Sequence, residues 1–514
     1  MRIILLEHPR EPSAAHFNDI ANTPLWSCLM TGYAGASLLQ AGFEVDLVDA
    51  SRWTFPDTVQ YLVDHPPELL AVHAVYFWER TAALFDMLGE LRQRQFAAPI
   101  CLYGFFPTLT WQDILAHSPA VDYAVVGEPE ETLVELARGL KAGTGALIDG
   151  LAARVAGEAT LSGPRPPLDP LDRLPFPLRP MLAAEETVCV LASRGCYNCC
   201  SFCLIPTLDG GRAAWRGRSP ENVAAEISQL LARGKKDFYF VDPNFVGPGK
   251  AGKERALRLA RTLTGLGITF GMETRANDLT GTLMRALVDA GLTSLLLGIE
   301  SGRPHILKRL NKHTSIAQNE RAIATVRDAG LEPEIGFIMF DAASTLDDVA
   351  QNLAFLKRNR LLEPLGRTAN LLYHDHIAFK GTSGHAAALA RGMLVPQGLF
   401  GFEGQLLYED YRVGWLAAIM KRICQFLLRV MGERFSPIHF MGESSGKEPY
   451  RTLNEQLVEI FQRLLSMADG FTQLPAATWT ERLLLRLLDE LQSTLYQVRK
   501  EEQTTSYGGT RRPC

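Results

Sequence analysis

Short apolar runs alternate with longer amphipathic segments over the first 145 residues. Segments with helical spacing, such as Gly32–Ala41 and Thr81–Gln95, separate runs that are short enough to be buried parallel strands. The predicted strands are Arg2–Leu6, Val45–Asp49, Leu69–Val75, Ile100–Tyr103 and Tyr123–Val126. This βαβ alternation predicts an α/β fold that begins with a doubly wound, Rossmann-like open sheet.

The carboxyl ends of these strands are where a doubly wound sheet binds its ligand. They carry the stretches EHPREP, DASRW, HAVYFWE, YGFFPTLT and GEPEET, which are rich in glycine, proline and aromatic residues. Neither a GxGxxG nor a Walker motif is present, so the pattern fits a large flat cofactor better than a phosphate.

The alternation resumes after residues 164–180, a segment with seven prolines that predicts a stiff linker. Ser219 and Pro220 are typical of a helix start. Six predicted βα units indicate a partial (β/α)6 barrel, whose function lies at the carboxyl ends of its strands. Its predicted strands are Val188–Ala192, Asp237–Val241, Ile268–Thr274, Ser294–Ile299, Glu334–Phe340 and Asn370–His374.

Four regions are therefore predicted: a ligand-binding sheet domain over 1–145, a proline-rich linker over 146–185, the barrel over 186–395, and a mostly helical C-terminal region over 396–514. In the last region, Asn454–Ala468 and Trp479–Val498 repeat apolar residues at helical spacing.

Composition and charge narrow the class of protein. Hydrophobic residues make up 47% of the chain and charged residues 21%, and the net charge is -5, so nucleic acid is not an expected partner. No stretch of 18 apolar residues occurs, and the opening MRIILLEHPREP is too weakly apolar for a signal peptide. We therefore expect no membrane span and a cytoplasmic location.

Four of the nine cysteines lie in SRGCYNCCSFCLIP, residues 193–206. In a reducing compartment such a cluster indicates a metal site rather than disulfides. Cys196, Cys200 and Cys203 give C-x3-C-x2-C, which would leave one iron of a [4Fe–4S] cluster without a protein ligand, whereas fully ligated clusters take four thiolates. A register with Cys199 in place of Cys200, Cys199 as a fourth ligand, and a structural zinc site remain alternatives.

The C-x3-C-x2-C motif after the first barrel strand, with Phe202 before its last cysteine, resembles the radical S-adenosylmethionine superfamily. The resemblance implies a [4Fe–4S] cluster on Cys196, Cys200 and Cys203 that binds and cleaves S-adenosylmethionine. It also implies contacts to S-adenosylmethionine from Glu273, Arg275, Glu300 and Ser301. Further matching stretches are RSPENVAAEI (218–227), FVDPNF (240–245), METRAND (272–278), LLGIESG (296–302) and FKGT (379–382), whereas GFIMFDAAST (336–345) departs from the family pattern.

The N-terminal sheet resembles the cobalamin-binding branch of that superfamily, most clearly in VDYAVVGEPEETL (121–133). The resemblance implies cobalamin near Tyr76, Phe77, Gly104, Gly127 and Glu128. The DxHxxG motif is absent from 1–145, which implies that the lower face of the cobalamin meets a group other than histidine, such as Tyr76, Phe77 or water. The methylthiotransferase branch fits less well, because its N-terminal domain supplies three further cysteines and this one has only Cys28 and Cys101.

The resemblance implies an enzyme, most simply a methyltransferase that uses a 5′-deoxyadenosyl radical and methylcobalamin to methylate an unactivated carbon. A cyclase or another non-methylating radical enzyme is the first alternative, and a cluster- or cobalamin-binding sensor without turnover is the second. The implied partners are a small-molecule or peptide substrate and a reducing protein such as flavodoxin or ferredoxin. No catalytic residue can be assigned; His374 and His376 are candidates to face the substrate or a metal, because both would lie on one side of a strand.

Overall fold

We describe the fold from a computed structural model that covers residues 1–10, 29–144, 147–180, 182–184, 187–432 and 448–507. Cys28 and Cys514 lie outside the described residues. Within the described ranges, no helix is both long enough and apolar enough to cross a bilayer.

The N-terminal region is a seven-stranded sheet flanked by helices. Its strands, in chain order, are β1 (Arg2–Glu7), β2 (Glu44–Asp49), β3 (Leu69–His73), β4 (Ile100–Tyr103), β5 (Tyr123–Val125), β6 (Leu151–Val155) and β7 (Glu158–Leu161). The helices are α1 (Leu29–Gln40), α2 (Phe55–Asp64), α3 (Thr81–Gln93), α4 (Phe105–His117) and α5 (Pro129–Ala142). The spatial order is β2-β1-β3-β4-β5-β6-β7. The five predicted strands are confirmed and are mutually parallel.

Two strands extend this sheet beyond the prediction. β6 and β7 lie in the segment assigned to the linker and pair antiparallel, β6 with β5 and β7 with β6. The proline-rich stretch that follows packs on α1, where a Cβ at Gly32 would lie 2.5 Å from the carbonyl oxygen of Leu178. The backbone N–H of Leu178 also donates to the carbonyl of Gly32 at 3.0 Å.

The barrel region contains a five-stranded sheet and a separate hairpin. The strands are β8 (Thr187–Val190), β9 (Ser193–Cys196), β10 (Ala214–Gly217), β11 (Asp237–Phe240), β12 (Thr269–Arg275), β13 (Leu292–Glu300) and β14 (Glu334–Phe337). The helices are α6 (Ile205–Leu208), α7 (Pro220–Leu231), α8 (Gly249–Leu263), α9 (Gly281–Asp289), α10 (Pro304–Arg309), α11 (Ile316–Asp328) and α12 (Leu346–Arg358). The sheet order is β14-β13-β12-β11-β8, and β9 pairs antiparallel with β10. As predicted, the side chain of Ser219 caps α7 by accepting from the backbone N–H of Asn222.

The prediction of a sixth strand over Asn370–His374 is wrong. These residues end the helix α13 (Leu365–Tyr373), which begins after Pro364 and is buried over most of its surface. A short buried apolar run fits either a strand or a buried helix, so its pattern could not separate them. In place of a strand, the sheet edge has an isolated parallel bridge between Phe340 and Asp375.

The remaining elements are a small sheet and three long helices. The sheet has the order β15-β17-β16, formed by β15 (Ala378–Phe379), β16 (Leu394–Gln397) and β17 (Glu403–Leu406). The helices are α14 (Ser383–Ala390), α15 (Tyr411–Gly432), α16 (Glu448–Asp469) and α17 (Ala477–Tyr507). The predicted helices at 454–468 and 479–498 are confirmed and are longer than predicted.

The chain divides into two compact units. The first comprises Met1–Leu297, Ala324–Pro333 and Ala378–Gln405, and so holds the N-terminal sheet together with the hairpin and the first strands of the barrel. The second comprises Gly298–Ile323, Glu334–Ile377 and Leu406–Cys514, and holds the end of β13, β14 and the long helices.

Candidate functional site: the cysteine loop and the edges of two sheets

The cysteine loop joins the strands of the β9–β10 hairpin. Cys196 ends β9, and the loop over 197–213 carries the other three cysteines of the motif, all half-buried. Gly195 makes the hairpin possible: its φ is +74°, and a Cβ there would lie 1.9 Å from the carbonyl oxygen of Ala214. The residue that immediately precedes Cys196 therefore cannot be larger than glycine without a shift of the hairpin backbone.

Cys200 and Cys199 point at different partners. The Sγ of Cys200 accepts from Nδ2 of Asn198 at 3.0 Å and from Nη1 of Arg275 at 3.7 Å. The Sγ of Cys199 instead donates to the carbonyl of Gly211 at 3.9 Å. Adjacent residues on this loop therefore send their sulfurs in different directions, as expected if only one of the two is a cluster ligand.

A buried cation faces the predicted cluster cysteines. Arg275, at the end of β12, lies over the ring of Tyr197 at 5.3 Å, and although burial opposes it, the charges of Cys200, Tyr197 and Cys196 raise the pKa of Arg275. Iron is bound by cysteine sulfur, and a neighbouring guanidinium offsets part of the negative charge of such a site. The residue types therefore fit a cluster. Among the described residues, no group of three or more cysteine, histidine or acidic side chains is already placed to hold a metal ion.

Glu273 shares the strand face of Arg275, because the two residues are two apart on β12. Its carboxyl accepts from the hydroxyl of Tyr239 at 3.3 Å, but burial outweighs this contact and raises the pKa of Glu273 to about 7. The structure thus brings two of the four residues predicted to contact S-adenosylmethionine to the side of the barrel that faces the cysteine loop.

The other two predicted contacts, Glu300 and Ser301, lie at the end of β13 in the second compact unit. Glu300 has a φ of +66° and forms a buried ion pair with Lys312, whose Nζ lies 2.7 Å from Oε1. A strained backbone at a strand end is typical of functional positions. The hydroxyl of Ser301 donates to Oδ1 of Asn352 at 2.9 Å and accepts from the backbone of Arg303. Lys312 was missed by the sequence analysis, since no motif marks it.

The carboxyl ends of the parallel strands in the N-terminal sheet, called the sheet edge below, hold a buried polar network that the sequence analysis also missed. Glu7 ends β1 and accepts from Arg10, Thr31 and His73, with Nδ1 of His73 at 3.1 Å. Burial raises the pKa of Glu7, but His73 and Arg10 outweigh it and hold the pKa well below its usual range. His8 is buried beside this network: its Nδ1 donates to the carbonyl of Pro9 at 2.7 Å, and its Nε2 accepts from the backbone of Val75.

Two glycines shape the same edge. Gly104 begins α4 with a φ of +120°, and a Cβ there would lie 2.9 Å from the ring of His73. Gly127 follows β5 with a φ of +97°, and the nearest atom to a Cβ there is the carbonyl oxygen of Leu208 at 3.8 Å. A bare backbone with open space beside Gly127 fits the close approach of a large flat ligand.

The aromatic and acidic residues predicted for cobalamin are used within the protein. Tyr76 is buried in an aromatic cluster, with ring centroids 4.5 Å from Phe402 and 5.5 Å from Phe106. Phe77 is half-buried, and its backbone N–H donates to Thr81. Glu128 forms ion pairs with Arg194 and Arg216 of the hairpin.

The two histidines weighed as substrate or metal contacts do not share a strand face. His374 caps the end of α13, with its Nδ1 2.7 Å from the carbonyl of Asn370. His376 lies beyond the helix, with its Nδ1 3.3 Å from Oδ1 of Asp341.

Comparison with known proteins matches two family models to these regions. The model "B12 binding domain" matches residues 31–137, and the model "Radical SAM superfamily" matches residues 190–356. Among curated proteins, the chain is 26% identical over 375 residues to an uncharacterized methyltransferase of Pyrococcus horikoshii, covering 70% of this chain and 78% of that protein. It is 27% identical over 340 residues to the anaerobic magnesium-protoporphyrin IX monomethyl ester cyclase of Synechocystis sp., covering 64% of this chain and 66% of that one.

Solved structures share the fold. The cobalamin-dependent S-adenosylmethionine radical enzyme OxsB superposes with a TM-score of 0.72 at 18% identity, covering 100% of this chain and 82% of that one. The radical S-adenosylmethionine methyltransferase TsrM of Kitasatospora setae superposes with a TM-score of 0.63 at 14% identity, covering 90% and 99%. The chain therefore contains a B12-binding domain followed by a radical S-adenosylmethionine domain, and its cofactors are a [4Fe–4S] cluster, S-adenosylmethionine and cobalamin.

Proposed function

We propose that this enzyme is a methyltransferase that adds a methyl group to an unactivated carbon of a small molecule or peptide. The observation that carries the proposal is the β9–β10 hairpin, whose loop faces Arg275 of the barrel while its base is ion-paired to Glu128 of the B12-binding domain. These contacts support a placement of both cofactor sites next to one short element, as a reaction that uses both cofactors requires. The match to a methyltransferase over 78% of that protein's length supports methyl transfer.

In this proposal Cys196, Cys200 and Cys203 hold the cluster. Cys199 is not a ligand, because its thiol is directed toward Gly211 rather than toward Arg275. When bound, the cluster and S-adenosylmethionine supply a 5′-deoxyadenosyl radical, and cobalamin supplies the methyl group. The protein orients these groups and excludes water from them.

The S-adenosylmethionine contacts divide by role. Glu273 suits the cationic end of the molecule, because a carboxyl with a pKa near 7 gains ionisation when a cation arrives. Glu300 and Lys312 offer one charge of each sign. Ser301 supports the strand end through Asn352, and we assign it an indirect role.

For cobalamin, the same proposal places the macrocycle beside the backbone at Gly104 and Gly127. Tyr76 and Phe77 shape the walls of this site. Glu128 acts through the hairpin arginines rather than on the cofactor. His8 and His73 are both engaged by protein groups, which supports a lower cobalamin face that meets no histidine.

The remaining predictions complete the proposal. We propose that the divisions at 185 and 395 separate functional parts, that the enzyme works in the cytoplasm, and that a flavodoxin or ferredoxin reduces the cluster. The substrate is a small molecule or a peptide.

The test is to incubate the reconstituted enzyme anaerobically with S-adenosylmethionine, cobalamin and a reductant, and to quantify two products by mass spectrometry. A methyltransferase of the proposed kind would release both S-adenosylhomocysteine, the product of methyl donation, and 5′-deoxyadenosine, the product of radical cleavage. A cyclase, the alternative favoured by the match to the Synechocystis protein, releases 5′-deoxyadenosine alone. A sensor releases neither, and either of these last two results would refute the methyltransferase proposal.

A matched pair of variants tests the cysteine assignment in the same assay. Cys200→Ala should abolish release of 5′-deoxyadenosine and lower the iron content, whereas Cys199→Ala should retain both. The reverse result would show that Cys199 belongs to the cluster.

A further inference from the structure

The base of the cysteine hairpin contains an unfavourable pair of charges. Arg194 on β9 and Arg216 on β10 are directly opposite each other in the antiparallel register. Like charges at opposed positions destabilise a strand pair, and an isolated two-stranded ribbon is only marginally stable. The hairpin that presents the cysteines therefore depends on an anion between the two guanidinium groups.

Glu128 supplies that anion from the B12-binding domain. Its Oε1 lies 2.9 Å from Nη1 of Arg194, and its Oε2 lies 3.0 Å from Nη1 of Arg216. None of the three side chains is more than 14% exposed. The carboxylate also accepts the backbone N–H of Leu168 at 2.7 Å. Although burial opposes it, the two arginines lower the pKa of Glu128, so it is ionised.

The neighbouring acids cannot replace this bridge. Glu130 contacts Arg194 alone at 2.5 Å, and Asp209 contacts Arg216 alone at 3.0 Å. Each of them neutralises one strand of the hairpin, whereas Glu128 joins both strands to each other and to the N-terminal domain. Removing Glu128 would leave two mostly buried guanidinium groups without their shared partner.

At each end of the bridge, a residue proposed to lie near a cofactor is only one or two positions away along the chain. Gly127, where open space adjoins the bare backbone at the end of β5, immediately precedes Glu128. At the other end, Cys196 follows Arg194 by two residues. A shift of the loop at 127–130 therefore acts on the strand that carries the first cysteine.

We propose that Glu128 is a positioning residue that couples the loop at 127–130, beside which we place cobalamin, to the cysteine loop, so that cobalamin and S-adenosylmethionine favour the same bridged arrangement. This inference rests on the cobalamin position given under the proposed function. Because coupling is reciprocal, each cofactor should tighten binding of the other.

The experiment measures S-adenosylmethionine affinity of the cluster-loaded enzyme by anaerobic equilibrium dialysis, with and without saturating hydroxocobalamin. In the natural enzyme, cobalamin should tighten the binding by roughly fivefold or more, the lower range of measured couplings. The ratio of interest is the S-adenosylmethionine affinity with cobalamin divided by the affinity without it. In Glu128→Gln this ratio should fall to about one, even where the affinity without cobalamin is little changed. A role limited to stability would lower the melting temperature and leave the ratio intact.

Two further variants complete the design. Glu131→Gln is the matched control: it removes a carboxylate three residues away, in the first turn of α5, that pairs with Arg165 and Arg173 instead of the hairpin, and it should keep the natural ratio. Glu128→Asp keeps the charge on a shorter side chain that cannot reach both arginines, and it should lose most of the ratio, which provides the test if Glu128→Gln fails to fold.

The outcomes separate the inference from the proposed function. A natural enzyme that binds cobalamin but shows a ratio of one overturns the coupling alone, as does a Glu128 variant that keeps the natural ratio. An enzyme that binds the cluster but no cobalamin overturns the proposed function, and the coupling with it.

Discussion

The effects of burial and of neighbouring charges on the pKa of buried carboxyl groups differ between the sheet edge of the N-terminal domain and the barrel strands beside the cysteine loop. At the sheet edge, His73 and Arg10 outweigh burial and hold the pKa of Glu7 well below its usual range. On the barrel side of the loop, burial dominates at two carboxyl groups: it raises the pKa of Asp242 to about 6 and that of Glu273 to about 7, despite donors from Ser193 and Tyr239.

The difference fits the ligands that we propose for the two regions. A carboxylate whose charge is already balanced gains little from a further cation, whereas one with a raised pKa gains ionisation when a cation arrives. S-adenosylmethionine brings a sulfonium and an ammonium group. A macrocycle as large as cobalamin is held mainly by the shape of its pocket. Its site at the sheet edge therefore needs a matching surface and accessible backbone more than uncompensated charge.

The largest loss of stability should come from removing the carboxylate that neutralises buried cations at the sheet edge. Glu7→Gln leaves Arg10 buried without its anion, and we expect the free energy of unfolding to fall by about 3–5 kcal/mol, as when other buried ion pairs lose one partner. Urea denaturation of the full chain measures this change. Glu68→Gln is the control, because its carboxylate is largely exposed and solvent screens its charge, so its removal should cost far less stability. Equal losses in the two variants would contradict the comparison.

The second effect concerns the backbone of the hairpin. Gly195→Ala forces a Cβ into the carbonyl oxygen of Ala214 at a position with positive φ, and we expect a loss of roughly 2–4 kcal/mol together with poor cluster incorporation. Gly211→Ala, in the same loop, has positive φ but no atom within 4 Å of the new Cβ, and should cost only about 1 kcal/mol. Iron content and urea denaturation of both variants check this, and similar values would show that the close approach at Gly195 is unimportant.

The third effect is a pH dependence of cofactor binding. Since the pKa of Glu273 is raised to about 7, its carboxylate forms as pH rises through 7, and the affinity for S-adenosylmethionine should rise with it. Glu273→Gln should bind roughly tenfold more weakly at pH 8, equivalent to about 1.4 kcal/mol, and with little pH dependence.

Tyr239→Phe sharpens this test. The variant removes a hydrogen bond that lowers the pKa of Glu273, so the same profile should move to higher pH. Binding that is independent of pH in the natural enzyme would argue against Glu273 as a contact.

The smallest effect belongs to His8. Burial and the charge of Arg10 lower its pKa to about 3, below its value of 6.5 in the unfolded chain. The unfolded chain therefore takes up a proton between these pH values that the folded protein cannot, so stability falls as pH decreases below 6.5. Between pH 7.5 and 5.5 the natural protein should lose about 1 kcal/mol more than His8→Gln in urea denaturation. Parallel losses in the two proteins would exclude His8 as the cause.

Covalent ligand chemistry made the cysteine loop predictable. Iron needs sulfur at a fixed spacing, so the motif at residues 196–203 identified both the loop and its place after the first barrel strand. Parallel strands were predictable for a related reason, since burial on both faces leaves short apolar runs. The same rule misassigned Asn370–His374, because a helix buried over most of its surface leaves a similar run.

Long-range partners were not predictable. The stretch GEPE located the loop at 127–130, but Arg216, which pairs with Glu128, lies 88 residues further along the chain. Lys312 and the Glu7–His73 pair have no sequence signal for the same reason: each is defined by a partner that only the folded chain brings close.

The most direct test of the whole account is the iron, sulfide and cobalamin content of the anaerobically reconstituted protein. The account predicts about four irons, about four sulfides and about one cobalamin per chain, with the iron lost in Cys200→Ala and kept in Cys199→Ala. A full complement of iron without any cobalamin would contradict it, because the N-terminal domain would then have another ligand and methyl transfer would lose its carrier.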